Sequence, residues 1–109
     1  MDSGGGGGGV TPKGYKVSYT NTANSTARCE VKINGSSTWT TITESSGTFD
    51  NVETIQFYLG NNPGMYSCRV VSTTLEVDLD SRSAAVTSDV YTVTQDVPDL
   101  KITWQPAIN

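Results

Sequence analysis

The run Thr74–Asp80, TLEVDLD, alternates without a fault: Leu75, Val77 and Leu79 fall on one side, and Glu76, Asp78 and Asp80 on the other. Successive side chains of a strand point to opposite faces, so a period of two marks a β-strand with one face in a core and one in water. The run is predicted to be such a strand, with its three carboxylates outside.

Working outward, the same period recurs along the chain. GYKVSYT places Tyr15, Val17 and Tyr19 on one face, and ARCEVKI places Ala27, Cys29, Val31 and Ile33 inside with Arg28, Glu30 and Lys32 outside. ETIQFYL buries Ile55, Phe57 and Leu59; MYSCRVVS buries Tyr66, Cys68 and Val70. VYTV and LKITW add Tyr91, Val93, Leu100, Ile102 and Trp104. Between the runs stand turn formers: Asn34-Gly35, Ser45-Ser46-Gly47, Gly60-Asn61-Asn62-Pro63-Gly64 and Asp80-Ser81. No stripe of helical period interrupts them. The expected fold is all-β, an antiparallel β-sandwich of about 7 to 9 strands, with a small antiparallel β-barrel as the alternative.

Composition agrees. Hydrophobic residues are 35% and charged residues 17% of 109, and Gly, Ser, Thr and Asn fill the difference, a mix that suits strands and turns. Seven basic and eleven acidic residues give a net charge of -4 with no basic stripe, so no nucleic-acid partner is expected. No apolar run approaches the roughly 18 residues that a membrane-spanning helix needs.

MDSGGGGGGV lacks the charged and apolar regions of a signal peptide. Residues 1–12 read as a flexible Gly-rich tether and 13–109 as a single β-sandwich domain. A core this small leaves a thin stability margin. Cys29 and Cys68 both take the inward parity of their runs, which is compatible with one disulfide and an oxidising compartment; two buried free thiols are the other reading.

Asn62–Cys68, NPGMYSC, resembles the D-x-G-x-Y-x-C segment of immunoglobulin-superfamily domains, with Asn in the place of the usual Asp. The resemblance implies an immunoglobulin-like or related sandwich. It also implies that the Tyr66 hydroxyl bonds to backbone at a corner and that Cys68 bridges to Cys29, with Trp39 as the tryptophan partner. Three strand-like runs follow Cys68, where the family has one more strand. The opening stretch resembles the Gly- and Ser-rich tether of bacterial surface lipoproteins. That implies an extracytoplasmic location, secreted or tethered to the cell surface or outer envelope. The lipid-bearing cysteine of those proteins has no counterpart here, so any anchor would lie outside this chain.

Few residues offer chemistry. There is no histidine, and no nucleophile elbow or phosphate loop. No catalysis and no cofactor are expected. Asp78 and Asp80, with the Ser81 or Ser83 hydroxyl, are the one set of oxygen ligands in reach of a cation, without the spacing of a calcium loop.

Aromatic rings on the outward parity are the stronger candidates. Tyr58 faces out if Phe57 faces in; Trp39 and Ile42 fall on opposite faces of TWTTI, so Trp39 faces out if Ile42 is core. Exposed flat rings stack on sugars, which makes Trp39 and Tyr58 candidate ligand-binding residues of a non-catalytic module that recognises glycan. The alternative is a small extracytoplasmic inhibitor or accessory subunit that grips another protein through its loops. Asn34, Gly35, Asn61 and Asn62 would then make the contacts.

Overall fold

The computed structural model describes residues 14–23 and 27–108; the tether expected over residues 1–12 lies outside them. Among the described residues the chain is all-β, with ten strands: β1 (Tyr15–Asn21), β2 (Cys29–Ile33), β3 (Thr40–Thr41), β4 (Ser46–Val52), β5 (Thr54–Leu59), β6 (Tyr66–Ser72), β7 (Val77–Asp80), β8 (Val86–Thr87), β9 (Tyr91–Thr92) and β10 (Val97–Pro106). They form two open sheets, so the fold is a sandwich and not the alternative barrel. One sheet has the order β4-β1-β10-β6-β7, the other β3-β2-β5-β8, and β9 also pairs with β5.

The pairings are antiparallel except that of β1 with β10, which runs parallel from Val17↔Val97 to Asn21↔Ile102. Between the sheets lies one core. Val17, Val70, Leu100 and Ile102 from the first sheet meet Val31, Ile55, Phe57 and Leu59 from the second, all of them essentially inaccessible. These are the inward positions that alternation predicts.

Several expectations are corrected. Thr74–Asp80 is not a single strand: Thr73 to Glu76 form the turn from β6 to β7, and Glu76 takes a left-handed φ of 58°. The turn still delivers Leu75 to the core, so the sequence alternates although the backbone turns. Ser45-Ser46-Gly47 is not simply a turn either, because β4 begins at Ser46. Tyr15 and Trp104 carry inward parity yet are 41% and 45% exposed, since the core runs out before their strands do. Tyr66 is half-buried with its ring edge-on to Trp104, the centroids 5.4 Å apart. The hydroxyl-to-backbone bond implied by the family resemblance is not among the hydrogen bonds of the described residues.

Cys29 of β2 and Cys68 of β6 bring one thiol from each sheet into the core. The bridge expected between them is not formed: both are free and buried. Cys68 as hydrogen-bond partner, then burial, push the Cys29 thiol far above its ordinary range.

Buried serines stitch the margins where strands are too short to pair fully. The Ser81 hydroxyl accepts the Cys68 N–H at 2.9 Å and donates to the Gly60 carbonyl oxygen at 2.8 Å, tying the start of β6 to the end of β5 in the other sheet. Ser88 plays the same part beside β5, accepting the Phe57 N–H at 2.9 Å.

Candidate functional site

The outer face of the second sheet carries the site. On β2, inward Cys29 and Val31 alternate with outward Glu30 and Lys32; on β5, inward Phe57 and Leu59 leave Tyr58 and Gln56 outside. Register aligns them: Glu30 stands opposite Tyr58 on one side and Thr41 on the other, and Lys32 opposite Gln56. Trp39 immediately precedes β3, whose Thr40 pairs with Val31, so the indole arrives beside Lys32.

Trp39 and Tyr58 therefore reach toward each other across β2. Their ring centroids are 6.0 Å apart and the planes are inclined by 58°. Ile42 is core, so Trp39 faces outward, half-buried, and is not the core tryptophan that the immunoglobulin resemblance implies. The Lys32 ammonium lies 4.8 Å from the centre of the Trp39 ring, within the range of a cation–π contact.

Beneath the rings is a carboxylate. Glu30 is only 7% exposed although it points away from the core, and it is held in an ion pair with the Nε of Arg28. A buried charge needs such a partner, because desolvation without one is costly. Arg28 keeps its side chain 64% exposed. A cleft of about 190 Å³ is lined by Arg28, Glu30, Trp39 and Tyr58. A second, of about 180 Å³, is lined by Arg28, Tyr58, Gly60, Asn61 and Asn62. The two share Arg28 and Tyr58 and so adjoin. Each is well below the roughly 300 to 1,000 Å³ of a drug-sized pocket.

The loop candidates do not gather. Asn34-Gly35 lies past the end of β2 and Asn61-Asn62 past the end of β5; because the strands are antiparallel, the two turns sit at opposite ends of the sheet. Asn34 and Gly35 have φ of 55° and 69°, the two positive angles of a type I′ turn. The Asn34 side chain accepts the N–H groups of Glu53 and Thr54 at 2.7 and 3.1 Å and donates to Asn51 O at 2.9 Å, which clamps the β4–β5 turn. Asn61 is similarly engaged, donating to the carbonyl oxygens of Ser81 and Arg82 at 2.6 and 3.1 Å. Asn62 closes its own turn by accepting the Met65 N–H at 2.9 Å.

The acidic row serves the strands. Asp78 takes the Arg69 guanidinium in a forked pair at 3.2 Å, and Asp80 accepts the Arg82 N–H at 2.7 Å. Among the described residues no cluster of three or more His, Cys, Asp or Glu could hold a metal ion.

Alternation in the sequence points to the two rings and carries no sign that Arg28, Glu30 and Lys32 are their companions. Parity places all three outside. What joins them to Trp39 is the register of the β2–β3 hairpin, and that depends on extra residues after the Asn34-Gly35 turn. Comparison of the chain with protein-family models, with curated proteins and with solved structures finds no match.

Proposed function

We propose that the chain is a non-catalytic binding module that recognises glycan on the outer face of β3-β2-β5, and that it works outside the cytoplasm, secreted or tethered to a surface. The observation that carries this reading is the Trp39–Tyr58 pair, two inclined rings 6.0 Å apart with a buried carboxylate below and a guanidinium beside them. Sugar rings present apolar C–H faces to aromatic rings and hydroxyl edges to charged acceptors and donors, and this surface offers both. The architecture is read as related to immunoglobulin-like sandwiches, with support from two cysteines contributed by opposite sheets. Closure of those thiols into a bridge in an oxidising compartment belongs to the same reading.

Glycan-array binding of the full chain tests the proposal, with Trp39→Ala and Tyr58→Ala as variants. A stacked contact is worth about 0.5 to 1.5 kcal/mol beyond area burial, so each variant is expected to lose about twofold to tenfold in affinity while still melting cooperatively. Binding that survives both substitutions refutes the platform, as does the absence of any bound glycan.

A further inference from the structure

The charge around the rings narrows the ligand class. We propose that the saccharide is acidic and that its anionic group sits on Arg28; this rests on the glycan reading above. The chain has a net charge of -4 and seven basic residues, yet two of the seven, Arg28 and Lys32, converge on the one aromatic pair of this face. Asp78 occupies Arg69 elsewhere.

Arg28 is held for such a task. Its Nε is paired with Glu30, whose burial keeps that carboxylate in place. The terminal nitrogens stay on an exposed side chain. A guanidinium presents a fork of N–H donors that matches a carboxylate or a sulfate, and such charge-assisted bonds are about twice as strong as neutral ones. Arg28 also lines both clefts. A saccharide stacked on Trp39 and Tyr58 and extended toward Gly60 and Asn61 therefore passes this cation midway, with Lys32 over the Trp39 ring as a second positive charge.

The matched probe is a polyuronate and its carboxyl-reduced neutral counterpart, run as a panel over polygalacturonate, alginate and hyaluronan, with a sulfated glycan and polyglutamate alongside. Titration calorimetry of the full chain at low salt reads the affinities. The acidic form of at least one pair is expected to bind roughly tenfold or more tightly than its neutral form, a margin on the scale of one charge-assisted hydrogen bond. That margin should shrink as salt is raised.

Arg28→Gln, and separately Lys32→Gln in case Glu30 left alone unfolds the first variant, should bring the ratio of acidic to neutral affinity toward one. Preference for the uronates or for the sulfated glycan tells which anion the fork takes, and either supports the proposal. Equal affinity for acidic and neutral forms overturns it and leaves the glycan platform standing. No binding to any saccharide overturns both readings. Polyglutamate bound as tightly as the uronates also overturns it, because the face is then an acidic-peptide site.

Discussion

Ser81 completes the edge of β6 with its side chain: its hydroxyl takes the Cys68 N–H at 2.9 Å and passes its own proton to Gly60 O at 2.8 Å. The residue is fully buried, so no water can replace either bond. Ser81→Ala leaves the Cys68 amide and the Gly60 carbonyl short of a partner, at a cost of about 1 to 3 kcal/mol. Urea unfolding should show a lower midpoint at unchanged slope. A midpoint within error of wild type would mean that the sheets are not linked through this hydroxyl.

That role was not legible in the sequence, where Asp80-Ser81 is a plain turn signal. Alternation fixed Val31, Ile55, Phe57, Leu59, Val70 and Ile102 as core because each lies in a strand buried on one face only. It missed β4, since SGTFDNV has Phe49 and Val52 as its only large apolar residues and pairs with β1 alone. It misread Thr73–Glu76, where a turn keeps the inward and outward order of a strand. Trp39 and Tyr58 were legible as outward rings, but their meeting across β2 is a matter of tertiary register, which local pattern does not carry.

Asp99 on β10 caps the turn that alternation misread. Its carboxylate accepts the Ser72 hydroxyl at 2.9 Å and the N–H groups of Thr73 and Thr74 at 3.0 and 3.3 Å. Desolvation alone would raise its pKa; the hydrogen bonds from Ser72, Thr74 and Thr73 together outweigh it and hold the carboxyl below the ordinary 3.8. A depressed pKa contributes stability that is fully present above the unfolded value and is lost as pH falls through the folded one. Asp99→Asn should therefore lower the melting temperature clearly at pH 7 and much less at pH 2.5. Equal losses at both pH values would show that the charge is irrelevant to the cap.

Gly14 enters β1 with φ of 107° and packs on the end of β4 so closely that a Cβ would stand 2.6 Å from the Asn51 carbonyl carbon and 2.8 Å from the Val52 nitrogen. Both contacts are backbone, so no side chain can swing aside. Gly14→Ala should cost more than about 1 kcal/mol, the reverse of the small gain that Gly→Ala brings where φ is negative. Chemical denaturation decides it. A neutral or stabilised variant would place the entry to β1 elsewhere.

The paired thiols in the core yield the last prediction. Oxidation of Cys29 and Cys68 by a disulfide such as oxidised glutathione removes two protons and two electrons from the protein and releases two glutathione thiols. The attacking species is a thiolate. In the folded chain Cys29 is held protonated, by Cys68 as hydrogen-bond partner and then by burial, and both sulfurs are shielded from solvent. Native reduced protein should react slowly with oxidised glutathione, at a rate that rises when mild denaturant opens the sandwich. Refolding of unfolded chain in the same redox buffer should instead give a product lighter by two hydrogens. Closing a loop of about 40 residues should add up to roughly 4 kcal/mol of stability on the chain-entropy view. Intact mass and urea midpoints read both quantities. Rapid oxidation of the native protein would show that the thiols are reached without opening the core. A refolded product with two alkylatable thiols would show that the sheets hold them apart.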